Sequence, residues 1–185
     1  MNAPTLHTFS IVAHDPAARA WGVAVASKFL AAGALVSWAR AGAGAVATQA
    51  FARVGFGLAG LDLMAGGLSA QETLDRLLRD DPLRDRRQVA CVDAEGRSAA
   101  FTGEGCFAWA GHRTGDGYAC QGNILTGPET LDAMAAAFEA APGDLGARLV
   151  AALARELQAL LARLGYYQGP VDGAWSSATI DAFWA

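Results

Sequence analysis

Five side chains of this sequence have types and positions suited to chemistry at a carbonyl group. One of them, Lys28, is the only lysine beside thirteen arginines, and it directly follows an apolar segment that ends at Ser27. Burial and nearby dipoles at such a position would lower the pKa of the amine and let it tune a nucleophile. The alternative is a strand-end lysine whose stem covers apolar surface while its ammonium stays in water.

Three neutral amides are candidates for contacts with a reacting substrate. Gln49 and Asn123 end or follow β-prone segments, and their N–H groups could stabilise a developing oxyanion. Gln121, next to Gly122, fits a place where the backbone approaches a ligand, so we assign Gln49 and Gln121 to substrate binding and Asn123 to catalysis. Capping or turn hydrogen bonding is the alternative for each of them.

A histidine completes this set. His112 lies in a glycine-containing segment that we expect to be a loop, and loops often carry function, so it is a candidate for substrate binding. An exposed loop histidine without a role is the alternative. Ser27 and Lys28 could form a Ser/Lys pair only with difficulty, since adjacent strand residues point to opposite faces. The three histidines show no spacing typical of metal ligation, so we expect no metal and no cofactor.

The composition is that of a folded, soluble protein. Hydrophobic residues make up 53% of the 185 residues and charged residues 17%, with a net charge of −4. We expect no nucleic-acid partner, because no run of basic residues could follow a phosphate backbone. No segment reads as a signal peptide or a membrane span, so we expect a cytoplasmic protein, with a periplasmic location as the alternative. The three cysteines show no CxxC spacing and fit reduced thiols.

The elements that would position these residues follow from hydrophobic periodicity and turn signals. Ser69 and Glu72 form a capping box, which predicts where one helix begins. Strands and helices in separate blocks indicate the α+β class, and the first two strands should form an antiparallel hairpin. The predicted strands are 8–13, 21–27, 34–38, 44–50, 88–93, 98–102 and 118–122; the predicted helices are 58–64, a helix from Ser69 to Asp81, 129–140, 149–164 and 176–184.

Several stretches together resemble the domain of unknown function 1028 family, which is placed among the N-terminal-nucleophile hydrolase-like folds. The similarity covers roughly residues 8–140 and rests on Thr8–Ala13, Gly22–Phe29, Gly44–Gln49, Arg87–Val89, Trp109–His112 and Gly117–Leu125. The resemblance implies an αββα sandwich of antiparallel sheets flanked by helices, which we assign to residues 1–153. Family members usually carry several dozen further residues after this point, so a segment between 153 and 154 is either deleted or missing from the sequence.

The same resemblance implies a nucleophile. Enzymes of this superfamily use the first residue of the mature chain, with its own α-amine as the base, and Thr8 is the matching residue here. A free α-amine has a pKa of about 7.7–8.0, so part of it is neutral near pH 7 and can accept the hydroxyl proton. Thr8 can act in this way only if the bond between His7 and Thr8 is cut; otherwise Thr8 is an ordinary strand residue.

The C-terminal region is similar to small helical peptidoglycan-binding modules. The similarity rests on Leu157–Tyr167, Gly169–Gly173, Trp175 and Thr179, and we assign residues 154–185 to this module. The sequence provides about two of its three helices, so the module should pack on the main domain. Aromatic and carboxylate side chains could line a sugar-binding groove, or the aromatic ones could instead form a small core. The candidate glycan-binding residues are Tyr166, Tyr167, Asp172 and Trp175.

These observations favour an amidohydrolase of small amides or acylated amines. In it Thr8 attacks the carbonyl carbon, Lys28 tunes the reactivity of this nucleophile, and Asn123 stabilises the oxyanion. A catalytically inactive scaffold of the same fold is the second hypothesis. The apolar composition makes a homo-oligomer plausible in both cases. A cell-wall-binding protein acting through the C-terminal region is the third.

Overall fold

The structure, a computed structural model, describes the backbone of residues 7–163 and 165–184 and the side chains of this part as far as residue 182. Eight strands lie in it: β1 Thr8–Asp15, β2 Ala20–Ser27, β3 Ser37–Arg40, β4 Gly44–Ala50, β5 Arg87–Asp93, β6 Ser98–Thr102, β7 Gly111–Gly115 and β8 Tyr118–Asn123. The helices of this part are α1 Ala32–Val36, α2 Gly55–Ala65, α3 Ala70–Leu78, α4 Glu129–Ala140, α5 Leu145–Arg163 and α6 Ser177–Trp184.

The strands form two antiparallel sheets of four strands each. The first sheet has the order β2-β1-β8-β7, and the second has the order β3-β4-β5-β6. The hairpin of β1 and β2 has the register that places Thr8 opposite Ser27, and β8 places Asn123 on the other side of Thr8. The predicted hairpin and the α+β class are thus confirmed.

The sheets and helices form four layers with three apolar interfaces. Alternate residues of β1, such as Phe9 and Ile11, pack against α4 and α5 through Phe138 and Leu149. On the far side, β4 and β5 pack against α2 and α3. Because strand side chains alternate between faces, the other residues of β1 and β4 face each other between the two sheets.

The layer between the sheets is built mainly of small side chains. Val12, Ala47, Ala90 and Ala119 are fully buried there. Short side chains leave the two sheets close together, so polar residues at the end of this layer lie within hydrogen-bonding reach of both sheets. This close approach is what assembles the site described below.

Local signals in the sequence located most helices and strands. The capping box is present, since the Ser69 hydroxyl accepts a hydrogen bond from the Glu72 N–H and the Glu72 carboxylate accepts one from the Ser69 N–H. Helix α4 has the predicted bounds, and α5 contains the predicted helix 149–164 except for residue 164, which lies outside the described residues.

Two local predictions were wrong. Residues 34–36 belong to the short helix α1, and only residues 37–40 pair with β4. Alanine is the best helix former, and a short apolar run has no periodicity that separates a strand from a helix turn. The expected loop around His112 is instead the edge strand β7. Its central residues are exposed, so it has no alternation of apolar and polar residues, and pairing with β8 alone defines it.

No helix in the described ranges is both long enough and apolar enough to cross a membrane.

Candidate active site

A cleft of about 440 Å³ opens at one end of the sandwich, where β1 begins and where β2, β4 and β8 end. Four of its fourteen lining residues are polar and uncharged: Thr8, Ser27, Gln49 and Asn123. The other ten are apolar, and no charged side chain is among the described residues that line it. Three of the residues predicted to act on a substrate, Thr8, Gln49 and Asn123, are therefore brought together.

Thr8 lies at the centre of this arrangement. Its hydroxyl is 2.8 Å from that of Ser27, and the Ser27 oxygen also accepts a hydrogen bond of 3.1 Å from the Phe29 N–H. Thr8 is partly exposed, in contrast to the five residues that follow it in β1. A hydroxyl held by a neighbour at the mouth of a cleft has the accessibility that a nucleophile needs.

Ser27 is a site residue that the sequence analysis set aside. It was considered only as a partner of Lys28, and of these two residues Ser27 alone lines the cleft. The predicted hairpin could have identified Ser27 as a neighbour of Thr8. If β1 and β2 pair across a four-residue loop after Asp15, the register places Ser27 opposite Thr8.

Gln88, which was not among the predicted site residues, holds the side chains of Gln49 and Asn123. These three residues form the polar floor of the cleft. The Gln88 side-chain oxygen accepts hydrogen bonds from the amides of Gln49 at 2.8 Å and Asn123 at 3.0 Å. Its own amide donates to the hydroxyl of Thr102 and to two backbone carbonyl groups. Gln88 is fully buried, and its bonds with Gln49, Asn123 and the Gly122 carbonyl are buried as well. They fix the direction in which the Gln49 and Asn123 amides point.

The Asn123 amide has two N–H groups, and Gln88 takes one. No second acceptor for this amide lies among the residues that the structure describes. Asn123 is 3% exposed, lines the cleft and pairs in register with Thr8. A fixed amide donor beside a hydroxyl is the arrangement that an oxyanion requires.

Gln121 does not reach the cleft. It is fully buried deeper between the sheets, where its amide donates to the Ala47 carbonyl at 3.0 Å and to the Ser10 hydroxyl at 3.3 Å. The Ser10 hydroxyl in turn donates to the Gln49 oxygen at 2.7 Å. Gln121 thus supports the floor of the cleft from beneath, and the structure offers it no path to a substrate.

His112 also lies away from the cleft, on the exposed edge strand β7. Its Nδ1 atom is 2.9 Å from the Thr102 hydroxyl of β6, so it joins the edges of the two sheets. Partial desolvation lowers the pKa of His112, although the residue as a whole is exposed. Through Thr102 and Gln88, His112 connects to the cleft only at the end of a chain of hydrogen bonds.

Lys28 is exposed in the turn after β2 and is not among the residues that line the cleft. Its neighbours Ser27 and Phe29 do line it. The hydroxyl contact of Thr8 is made by Ser27, and a tuning role for Lys28 stays a prediction.

Backbone conformation sets the cleft apart from the rest of the fold. Four non-glycine residues have positive φ angles among the described residues, and two of them, Ala50 and Ile124, line the cleft. The left-handed conformation is unfavourable by about 1–2 kcal/mol for an ordinary residue, and it is rare for a β-branched one such as Ile124. Strain of this kind concentrates at functional sites, where the surroundings impose it.

A buried ion pair fixes one side of the cleft mouth. The Arg87 guanidinium binds both carboxylate oxygens of Asp81, at 2.7 and 3.1 Å, and also donates to the Phe51 carbonyl. The hydrogen bonds from Arg87 hold the pKa of the Asp81 carboxyl below its usual range. Phe51 lines the cleft, so its position depends on this pair.

No cysteine is among the described residues that line the cleft. Cys91 and Cys120 are fully buried in strands, and this burial raises the pKa of the Cys91 thiol and raises that of Cys120 to about 12. Cys106 is partly exposed, and burial raises its pKa as well. All three have free thiols. Within the described residues, no group of three or more His, Cys, Asp or Glu side chains could hold a metal ion.

The C-terminal region is organised by a second buried glutamine. Gln158 of α5 donates to the Ala174 carbonyl at 2.8 Å and the Thr179 hydroxyl at 3.0 Å, and accepts from the Gly173 N–H at 2.8 Å. It joins α5, the loop before α6, and α6 itself. The first half of α5 packs on the first sheet, while Leu157 and Leu161 form a separate small cluster with residues of the C-terminal region. The predicted boundary at 153–154 therefore lies inside one continuous helix, and the division into domains stays a prediction.

The four candidate glycan-binding residues have different surroundings. Tyr167 is buried in the small cluster and donates a hydrogen bond of 2.9 Å to the Pro170 carbonyl. Asp172 is exposed, but its carboxylate accepts hydrogen bonds from the Ala174 N–H of its own loop at 2.9 Å and from the Gln158 amide of α5 at 3.3 Å. Tyr166 and Trp175 are 55% and 50% exposed. Among the four candidates, these two aromatic rings are the exposed ones that could stack on a sugar.

Comparisons with known proteins agree with this architecture of two antiparallel sheets, flanking helices and a C-terminal helical extension. The model of a family of unknown function, DUF1028, matches residues 8–159. The chain belongs to this family. A second model, described as "Putative peptidoglycan binding domain", matches residues 143–185, so the two matches overlap along α5.

A crystal structure of a Silicibacter pomeroyi protein assigned to DUF1028 has a TM-score of 0.77 to this chain. The two are 35% identical, and the match covers 80% of this chain and 69% of that one. A comparison with curated proteins gives no match.

Proposed function

We propose that this protein is an amidohydrolase of the N-terminal-nucleophile type, acting on small amides or acylated amines after cleavage of the bond between His7 and Thr8. The observation that carries the proposal is the position of Thr8, whose hydroxyl lies at the cleft beside the Ser27 hydroxyl and whose register partner in β8 is the oriented amide of Asn123. The proposed nucleophile and the proposed oxyanion donor thus lie on paired strands and line the same cleft.

Cleavage before Thr8 would supply the missing base. The new α-amine would lie on the same residue as the attacking hydroxyl, within reach of its proton. As the Thr8 oxygen attacks the substrate carbonyl carbon, its proton passes to this amine, and the carbonyl oxygen becomes an oxyanion that accepts the second N–H of Asn123.

Collapse of this intermediate breaks the carbon–nitrogen bond, and the leaving amine takes the proton back from the α-ammonium. The acyl group is left as an ester on Thr8. Water then attacks the ester with the α-amine again as the base, which releases the carboxylic acid and restores the hydroxyl. Ser27 orients the Thr8 hydroxyl in both steps and acts as a positioning residue.

Replacement of Asn123 by alanine tests the oxyanion donor. A β-lactone is a suitable probe, because its ring opens on attack and leaves a stable acyl group on the nucleophile. We expect the rate of acylation of Asn123→Ala, followed by intact-mass spectrometry, to fall by about 10²–10³-fold. Ser98→Ala is a matched control, since Ser98 donates one hydrogen bond to the Gly115 carbonyl away from the cleft. Equal rates in the two variants would remove Asn123 from the mechanism.

A second candidate function, binding of peptidoglycan, is supported by the family match to residues 143–185 and by the exposed rings of Tyr166 and Trp175. We expect the protein to co-sediment with purified peptidoglycan and Trp175→Ala to bind at least about tenfold more weakly, because stacking on a sugar face is lost. Leu30→Ala is the control, since Leu30 is exposed on the main domain. Co-sedimentation that is absent, or that is unchanged in Trp175→Ala, would contradict this role.

A further inference from the structure

The apolar residues that line the cleft indicate the chemical character of the ligand, which the polar residues alone do not. Three phenylalanines, Phe29, Phe51 and Phe107, line it while exposing 55%, 53% and 72% of their surface. Large apolar side chains grouped around a concavity mark a surface that becomes buried on binding. Here they surround the same opening that contains Thr8.

The backbone of each of these three phenylalanines makes a hydrogen bond to a neighbouring residue. The Phe29 N–H donates to the Ser27 hydroxyl, and the Phe107 carbonyl accepts from the Ile124 N–H at 3.2 Å. The Phe51 carbonyl accepts from the buried Arg87 guanidinium. The rings are thus exposed without being carried on unattached loops, and a ligand would meet a largely formed surface.

The electrostatic character of the cleft is neutral. Its polar lining consists of two hydroxyls and two amides. Two arginines close in sequence to lining residues already have a partner, since Arg87 binds Asp81 closely and Arg53 lies 3.9 Å from the same carboxylate. Lys28 is exposed to water outside the lining, where solvent and salt screen its charge. A charged ligand would find no partner among the side chains that line the cleft in exchange for the hydration it loses; the α-amine created by cleavage before Thr8 is the one group that could carry a charge there.

We infer that the cleft takes an uncharged amide whose acyl part is apolar, with the carbonyl at Thr8 and Asn123 and the apolar chain against Phe29, Phe51 and Phe107. This substrate class rests on the proposed function, because that function places the carbonyl at Thr8. The volume of about 440 Å³ lies in the range of small-molecule sites and leaves room for a chain beside the reacting group.

Binding of methyl ketones to the wild-type protein tests this inference without turnover, because a ketone has the acyl carbonyl but no leaving group. We expect the Kd measured by ligand-observed NMR to fall about fourfold per added methylene from butan-2-one to octan-2-one. At about pH 9, where the α-amine of a processed Thr8 is mostly neutral, carboxylates of the same chain lengths should bind at least about tenfold more weakly, because a buried charge would have no partner.

Variants at the phenylalanines that line the cleft show where the apolar chain of the ligand binds. Phe107→Ser, and independently Phe29→Ser, should remove most of the gain from chain length, while Val150→Ser, an exposed apolar position on α5, should keep it. Ketone affinity independent of chain length, or carboxylates that bind equally well, would overturn the inference. A third result would also overturn it: a wild-type protein that binds no ketone and forms a dimer that dissociates on Phe107→Ser. The three phenylalanines would then belong to an interface with a second copy of the protein.

The acylation experiment separates this inference from the proposed function. Acylation of Thr8 by a β-lactone without chain-dependent ketone binding would overturn only the substrate class. Chain-dependent binding without any acylation of Thr8 would overturn the amidohydrolase, and with it the assignment of the ligand as a substrate.

Discussion

Replacement of Thr8 by alanine is expected to abolish acylation by a β-lactone, lowering its rate by on the order of 10⁴-fold or more. The reason is that the alanine side chain has no oxygen to attack the carbonyl, and the neighbouring Ser27 is not preceded by a cleavable leader that would give it an α-amine. Thr8→Ser keeps the hydroxyl and the amine, so it should retain acylation within about tenfold of the wild-type rate. Intact-mass spectrometry of the three proteins, with peptide mapping of the adduct, gives the rates and the site.

Peptide mapping also decides between Thr8 and its competitors. An adduct that persists in Thr8→Ala and maps to Ser27 or to the partly exposed Cys106 would contradict the assignment. Both variants should unfold at the same temperature within a few degrees, because Thr8 is partly exposed and its one side-chain hydrogen bond is also partly exposed.

Replacement of Gln88 by leucine is expected to lower the free energy of unfolding by about 3–5 kcal/mol. Leucine fills much of the same space, but the amides of Gln49 and Asn123 lose their common acceptor, and the Thr102 hydroxyl loses a donor. All of these bonds lie at buried or partly buried positions, where unpaired polar groups are most unfavourable. Urea denaturation with a comparison of m values measures the change.

Gln121→Leu is the matched control for this experiment. Gln121 is the same residue type, is equally buried, and lies across the layer between the sheets. Its side-chain oxygen has no hydrogen-bond partner among the described residues, and only its amide donates. We expect the loss in Gln121→Leu to stay near 1 kcal/mol, because one buried acceptor without a partner is removed together with the donor. Equal losses in the two variants would show that Gln88 does not organise the floor of the cleft.

Local signals in the sequence were sufficient for most of the fold. The capping box of Ser69 and Glu72, the hairpin after Asp15 and the periodicity of residues 129–140 each depend on residues close in sequence, and each was found where predicted. The edge strand β7 and the helix α1 were not predicted. Both contact elements that a local pattern does not reveal, since β7 pairs with β8 and α1 packs against β2 and β4.

The site was predicted in part for a related reason. Thr8, Gln49 and Asn123 were named from a family resemblance and from amides at strand ends, and the structure brings these three together at one cleft. Gln88 was taken as the first residue of a strand, and its central place depends on contacts with strands of both sheets. No pattern in one segment could show this, whereas the hairpin register could have shown Ser27.

Exposure is a property that the sequence pattern did not determine. Gln121 has the same type as Gln49 and lies one position before a glycine, yet it is enclosed between the sheets. Lys28 follows a strand whose last residue reaches the cleft, yet it is exposed. In the C-terminal region the adjacent Tyr166 and Tyr167 divide between surface and core. In each case the face on which a residue lies is set by packing between elements distant in sequence.

The most direct test of the account is the mass of the N-terminus in active protein. The wild-type protein, purified and acylated with a β-lactone, is analysed by intact-mass and N-terminal peptide mass spectrometry. We predict that the acylated molecules begin at Thr8 and carry the acyl group on that residue, with the α-amine free. Acylated molecules that still begin at Met1 or Asn2, at full reactivity, would contradict the mechanism, because the base on which it depends would not exist.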